Sequence, residues 1–437
     1  MSFEIREKPE MVERALLVAI GLPGESRYDR EALLKELEDL VSNLGIGIVG
    51  TRLEFTRELH AKFLCGVGKA EEMRDLAQSL GADCVIFDNM LAPSQQREWE
   101  RLCDVTVVDR EEIILDIFAK RARTKEATMQ VDLARMQYAL PRMAGMWSHL
   151  DRQRGGSGGG KGGGSASRGE GEKQIETDRR MARDRIDMIR KELELVRKQR
   201  STQRKERNRQ GIPTAAIVGY TNAGKSSLLN LMTGAAVLAK NILFATLETT
   251  SRKIELPDGQ SLVLTDTVGF IRNLPHRLIE AFKSTLEEAV LADFLIQVVD
   301  ASDRDAMEHY KTTCKVLAEL GAGDKPMVVV WNKCDLMEPE GRDARLAELQ
   351  AGIDVPSLTM SVKDDIGGDV LLQRCVDLLS HRVVKATYRI PQSLSREIAL
   401  MHRDGKVLST DYEGNDILVE ALLPKEFSAR LSNYIIS

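Results

Sequence analysis

The chain has 437 residues, room for about three domains at roughly 150 residues each. Its hydrophobic content of 43% and charged content of 30% exclude global disorder, and 5% aromatics argue against base stacking as a main mode of nucleic-acid binding. Lys plus Arg number 62 and Asp plus Glu 67, a net charge of -5, which excludes a globally basic nucleic-acid binder but not a local basic patch.

The opening residues carry no apolar signal core. Apolar runs such as Phe294 to Val299 fall far short of the roughly 20 residues of a membrane span. A cytoplasmic protein is expected, with peripheral membrane association left open. The six cysteines contain no CxxC pair and the six histidines are scattered, which argues against zinc and for reduced, mostly buried thiols.

In chain order, Leu16–Ile20 and Ile46–Leu53 read as strands around an amphipathic helix at Arg30–Val41. A helix at Glu71–Leu80 is stopped by Gly81. Strands at Cys84–Phe87 and Val105–Val108 flank a helix starting near Pro93. This rhythm predicts a small parallel-sheet α/β domain over residues 1–112. Over 113–210 the period changes. Ala127, Val131, Ala134 and Tyr138 form one heptad-like seam, and Ala182, Ile186, Ile189, Leu193 and Val196 another. Between them lies the glycine-rich run Gly155 to Ser165, without helix propensity. Two antiparallel helices with a soft tip are expected, the alternative being a linker between domains. Residues 211–385 alternate strands (Ala215–Val218, Leu262–Leu264, Leu295–Val299, Met327–Val330) with helices, the pattern of a doubly wound α/β sheet. From 386 to 437 the order strand, helix, hairpin, helix predicts a small α+β domain whose hairpin turns at Tyr412–Asp416.

The chemistry concentrates in the third region. Gly219-Tyr220-Thr221-Asn222-Ala223-Gly224-Lys225-Ser226 fits G-x4-GK-[ST] between a strand and a helix. Glycines let backbone N–H groups turn toward phosphate oxygens, and the helix N-terminus adds partial positive charge. Lys225 is expected on the β- and γ-phosphates and Ser226 on Mg²⁺. Asp266-Thr267-Val268-Gly269 closes the next strand. Its carboxylate suits Mg²⁺ through water, and the Gly269 N–H suits the γ-phosphate. Asn332-Lys333-Cys334-Asp335 follows a further strand, where Asp335 is placed to accept from guanine N1–H and N2–H₂; adenine lacks that donor pair. Ser361-Val362-Lys363 offers a backbone N–H to guanine O6. GTP and GDP are therefore the expected nucleotides. A switch I threonine is needed to complete the Mg²⁺ shell, with Thr246, Thr249 and Thr250 as candidates.

These motifs, with Phe244-Ala245-Thr246-Leu247 and Asp266 to Ile271, resemble the Obg/HflX superfamily of translation GTPases. Gly66 to Met73, Gly169 to Arg180 and the domain order resemble the HflX family specifically. The run Glu170-Gly171-Glu172 lacks the proline usual in the family, and the glycine-rich run is longer. The resemblance implies a Mg²⁺-dependent GTPase that binds the large ribosomal subunit and its RNA and separates stalled or idle ribosomes, often under stress. It selects Thr246 as the switch I ligand, adds Phe244, Ala245, Leu247 and Glu248 to the nucleotide site, and makes Lys225, Thr246 and Gly269 the catalytic set. A monomer is expected off the ribosome.

Five readings stay paired with a plainer one. Phe270 stands where a water-orienting glutamine is usual, so intrinsic hydrolysis is expected to be slow; alternatively the ring simply packs. Asn222 is a candidate K⁺ ligand or a turn residue. Gly66-Val67-Gly68-Lys69 is an anion site or a strand-to-helix turn. The basic residues Arg197, Lys198, Arg200, Arg204, Lys205, Arg207 and Arg209, preceded by Arg179, Arg180, Arg183 and Arg185, are an RNA-backbone contact or a solvated helix face. As a whole, the chain reads as a ribosome-directed GTPase or, alternatively, as an RNA-binding scaffold that senses GTP with little turnover; Asp335 argues against an ATP-driven enzyme.

Overall fold

The structure is a computed structural model that describes residues 12–143, 166–209, 212–234, 243–244, 246–275, 277–278, 282–380 and 382–436. The chain divides into two compact units. One comprises Met1–Val196 with Arg272–Phe282, the other Arg197–Ile271 with Lys283–Ser437.

The first unit holds a four-stranded parallel sheet in the order β2-β1-β3-β4, with β1 Arg14–Gly21, β2 Gly47–Phe55, β3 Cys84–Phe87 and β4 Thr106–Asp109. The strand β1 is buried from Ala15 to Gly21, as a parallel strand covered on both faces must be, and this explains its unbroken apolar sequence. Helices Arg27–Leu44 and Val67–Leu80 end at Gly45 and Gly81, which adopt φ of 82° and 60°. That left-handed stop is open to glycine at little cost.

Two helices follow, Lys125–Ala139 and Ala166–Arg209. Thr124 caps the first by accepting from the Ala127 N–H at 3.2 Å. Ala127, Val131, Ala134 and Tyr138 are buried, as expected of a seam. A second apolar stripe on this helix meets the longer one. Leu133 clusters with Ile186, Ile189 and Leu193, with Met129, Met136 and Leu140 beside them. Tyr138 turns instead to Asp109 and Glu112, its hydroxyl 3.1 Å from each carboxylate. The shorter helix carries two apolar stripes offset by two residues, and spacing alone does not say which stripe meets which neighbour. The expected tip, Gly155 to Ser165, lies outside the described residues.

The second unit is built on a six-stranded sheet in the order β10-β9-β8-β5-β7-β6. Its strands are β5 Thr214–Gly219, β6 Thr250–Glu255, β7 Ser261–Asp266, β8 Phe294–Asp300, β9 Met327–Asn332 and β10 Ser357–Thr359. All pairings are parallel except β6 with β7. The edge strand β6 escaped the sequence reading because Thr-Ser-Arg-Lys-Ile-Glu buries only Ile254. The C-terminal residues form an antiparallel sheet β11-β13-β12 from Val383–Pro391, Lys406–Glu413 and Asp416–Pro424, the last two joined by a turn with Gly414 at φ 62°. Tyr388, Ile390, Met401, Val419 and Leu423 form its core.

The helix pair yields a stability prediction. Ile189→Ala removes a fully buried side chain and should cost about 2–4 kcal/mol, whereas Leu195→Ala, at a position 59% exposed, should cost little. Urea unfolding of both variants against the parent checks this; equal losses would contradict the packing.

Candidate nucleotide-binding site

The strand β5 ends on Gly219, and the helix Lys225–Thr233 starts five residues after Tyr220. The loop between them needs its glycines for two reasons. Gly219 has φ 144°, and a Cβ there would lie 2.2 Å from the Val298 carbonyl oxygen; Gly224 has φ 100°, and a Cβ there would meet Asn332 Nδ2 at 2.3 Å. Neither position admits a side chain without moving a neighbouring strand end. Asn222 is exposed with φ 60°, a left-handed conformation that asparagine tolerates. Lys225 is buried, and its Nζ donates to the Tyr220 carbonyl at 2.7 Å. Tyr220 is fixed in turn by ring stacking on His309, centroid to centroid 3.8 Å.

Three oxygen groups meet beside the lysine. Asp266 Oδ2 accepts from Ser226 Oγ at 2.7 Å and from Thr246 Oγ1 at 2.8 Å, and the two hydroxyls lie 2.5 Å apart. Of the three candidate threonines, Thr246 is the one gathered here, while Thr250 starts the edge strand with its side chain exposed. Burial raises the Asp266 carboxyl pKa, opposed by Lys225 and by the two hydroxyls. Burial also pushes Lys225 down to about 8, with Asp266 opposing. Asp266 Oδ1 is buried and has no hydrogen-bond partner among the described residues. Thr267 plays a structural part, its hydroxyl donating to the Ile217 carbonyl at 2.7 Å. Gly269 lies against Thr221 and Lys225. Phe244 and Leu247 are buried and Glu248 half-buried; Ala245 lies outside the described residues.

The base-recognition motifs converge through one side chain. Asn332 Nδ2 donates to the Ala223 carbonyl at 2.8 Å, and its Oδ1 accepts from the Val362 N–H at 3.1 Å. The phosphate loop and Ser361-Val362-Lys363 are therefore tied to one residue. Lys333, at φ 62°, forms an ion pair with Asp300 at 2.7 Å. Asp335 Oδ1 accepts from Ser361 Oγ at 2.8 Å, and Lys363 Nζ stands 4.0 Å from Oδ2. Cys334 donates its N–H to the Met360 carbonyl at 3.3 Å. Two participants were missed in the sequence. Asp300 ends an apolar strand, a position that would have singled it out; His309 sits mid-helix with no such signal. In the other unit, Gly66 caps a helix and Lys69 is engaged by Glu54 at 2.8 Å and by the Phe55 carbonyl at 2.6 Å, which suits the plain-turn reading.

Family models described as GTP-binding GTPase N-terminal, GTP-binding GTPase Middle Region and 50S ribosome-binding GTPase match residues 31–119, 121–207 and 214–333. The chain is 64% identical over 433 residues to GTPase HflX of Akkermansia muciniphila, covering 99% of both. It is 42% identical over 385 residues to GTPase HflX of Escherichia coli, covering 88% of this chain and 87% of that one. A GTP-binding protein from Sulfolobus solfataricus, solved in complex with GDP, aligns with 84% of this chain and 99% of its own at 23% identity and a TM-score of 0.41.

The depressed lysine sets a pH dependence. Phosphates favour the charged amine, so binding above pH 8 must take up a proton. GDP affinity should stay level below pH 8 and weaken about tenfold by pH 9. Titration calorimetry in buffers of different ionisation enthalpy reads both the affinity and the proton uptake; a flat profile would contradict the buried-lysine assignment.

Proposed function

We propose that this chain, which belongs to the HflX family of GTPases and hydrolyses GTP, performs that reaction at the Gly219–Ser226 loop and applies it to the large ribosomal subunit. One observation carries the site reading: the Asn332 side chain spans from Ala223 to Val362. A triphosphate on the loop and a guanine at Asp335 would thereby share a single frame.

In this reading the backbone N–H groups of Asn222 to Ser226 cradle the phosphates, and Lys225 supplies a point charge to the β- and γ-groups. Asp335 accepts from the guanine edge, and Ser361 orients that carboxylate. Lys333 braces the loop through Asp300, and the Val362–Lys363 backbone faces guanine O6. The oxygen-only set of Ser226, Thr246 and Asp266, with one buried carboxylate oxygen unpartnered among the described residues, fits a hard cation such as Mg²⁺. Ser226 and Thr246 would hold it directly and Asp266 through water. Mg²⁺ bound there would neutralise charge building on the phosphate oxygens. The Gly269 N–H would meet the γ-phosphate. No side chain at Phe270 can orient water, so turnover is expected to rise when a partner completes the site. Asn222, exposed on the loop, is the residue to test for a K⁺ contribution.

The ribosomal role is supported by the family itself, by the description of the model matching residues 214–333, and by the basic residues of the long helix. A cytoplasmic monomer that engages ribosomal RNA through that helix is the form this implies.

Two outcomes test the proposal. Asp335→Asn exchanges an acceptor for a donor and should move preference from GTP to xanthosine triphosphate, at a cost to GTP of about 1–3 kcal/mol, the scale of a lost bidentate base contact; unchanged GTP affinity in a direct titration would count against it. Large ribosomal subunits should stimulate turnover, and deletion of residues 155–164 should lower stimulated turnover and subunit separation while sparing basal turnover. Light scattering and phosphate release on the same samples decide. Full subunit separation by the deletion variant would reduce that run to a linker.

A further inference from the structure

Asp335 sits on a turn whose leading residue is strained. The chain leaves β9 at Asn332, reverses at Lys333 and enters the short 3-10 turn Cys334–Leu336. The reversal needs φ of 62° at Lys333, a left-handed conformation that is costly for a residue with a Cβ. Lys333 also closes the turn, its carbonyl accepting from the Leu336 N–H at 3.0 Å. The placement of the Asp335 carboxylate therefore depends on keeping one unfavourable backbone angle in place. Ser361 Oγ, at 2.8 Å, holds the carboxylate itself but not that angle.

The neighbouring strand supplies the hold. β8 ends at Asp300, which stands opposite Asn332 in the parallel register, and the Ala301 N–H donates to the Asn332 carbonyl at 2.8 Å. The Asp300 side chain is itself oriented. Its Oδ1 accepts from the Ser302 N–H at 3.1 Å and from Ser302 Oγ at 2.6 Å, which leaves Oδ2 for Lys333 Nζ at 2.7 Å. The Lys333 and Asp300 side chains are only 21% and 19% exposed, so water screens this pair less than an ordinary surface ion pair. Residue 332 is thus held through its backbone and residue 333 through its side chain, both by the end of β8. Asp300 does this from outside the motifs that carry the nucleotide chemistry.

We infer that Asp300 is a positioning residue for base specificity: by holding Lys333 in its left-handed conformation it aims Asp335 at the N1–H and N2–H₂ pair that marks guanine. The inference rests on the reading of Asp335 as the guanine acceptor. Asp300 acts only through Lys333. A carboxylate that accepts two hydrogen bonds must lie near the plane of the base edge, whereas one that accepts a single bond tolerates rotation. Loosening the turn therefore costs the second contact first. Inosine diphosphate reads this loss, because its base keeps N1–H and lacks the 2-amino group.

The test measures Kd of the full-length protein for GDP and for inosine diphosphate, in the parent, Asp300→Asn, Lys333→Met and the double variant. Asparagine keeps the acceptor for Ser302 and removes the charge that faces Lys333. The parent should prefer GDP. Asp300→Asn should weaken GDP about fivefold, the scale of a shielded charged hydrogen bond, and inosine diphosphate less than about twofold, so that the preference shrinks. Lys333→Met should shrink it to the same extent, and the double variant should lose no more than either single one. In steady-state turnover, Asp300→Asn should raise KM for GTP while kcat stays near that of the parent. An unchanged preference in folded Asp300→Asn, or in Lys333→Met, overturns the inference. So do single effects that add in the double variant, since Asp300 would then act through Ser302 rather than through Lys333. A parent that does not distinguish the two diphosphates overturns the reading of Asp335 and the inference with it.

Discussion

Burying a carboxylate and an ammonium together is the constraint around which the nucleotide-binding unit is arranged. Asp266 and Lys225 both sit inside the protein, where the charged form of each is costly. The fold gives Asp266 two hydroxyl donors and turns Lys225 onto a backbone carbonyl. Each is only partly compensated. One carboxylate oxygen has no partner among the described residues, and the lysine has given up part of its basicity. Such a pair is poorly satisfied alone and well satisfied by a triphosphate and a hard cation, whose charges complement both groups. In the proposed reading, the destabilisation that a purely structural pair would avoid becomes a source of affinity for that ligand.

Around that pair the backbone does most of the positioning. A Cβ on Gly219 or Gly224 would lie 2.2 Å from the Val298 carbonyl oxygen or 2.3 Å from Asn332 Nδ2, so only glycine lets the loop run this close to β8 and β9. Asn332 then locks the loop to the segment after β10. The proposed phosphate and base contacts would therefore follow from one sheet topology. In a doubly wound sheet the carboxyl ends of neighbouring strands open onto the same crevice, so motifs far apart in sequence arrive there together.

What the sequence made legible divides along the same lines. The α/β class, the glycine loop and the strand-end motifs were readable because each demands particular residue types at fixed spacing. Thr246 was separable from Thr249 and Thr250 only by resemblance, since a threonine's reach to Asp266 depends on how the preceding loop folds. The edge strand β6 was hidden, because a strand with one buried residue carries no alternation to detect. The helix pair was legible only in part: Ile186, Ile189 and Leu193 of the expected seam meet Leu133, on a second apolar stripe that spacing did not single out, and the Tyr138 hydroxyl turns to Asp109. The backbone bridge between Tyr220 and Phe270 was invisible, because it is made of groups that every residue possesses.

The strip that bears Phe270 is bonded to the glycine loop, Thr221 donating its N–H to the Phe270 carbonyl and Phe270 donating its N–H to the Gly219 carbonyl, and it sits at a crossing of the chain. The nucleotide-binding unit ends at Ile271, the segment Arg272–Phe282 belongs to the N-terminal unit, and the chain returns at Lys283. Within the N-terminal unit the described residues of that segment are held at several points. Leu278 and Phe282 are buried, Phe282 meets Phe118 with ring centroids 4.8 Å apart, and Arg110 donates to the Arg272 carbonyl at 3.4 Å. Arg277 lies 3.7 Å from Glu111, a carboxyl whose pKa burial raises. One residue separates the Phe270 hydrogen bonds from this anchorage, and a single extended residue spans only about 3.3–3.6 Å. Withdrawing the strip by more than that distance must displace Arg272 or rotate the backbone at Ile271, whose fully buried side chain resists rotation. The placement of Phe270 and that of Arg272 are thus tied by chain connectivity alone.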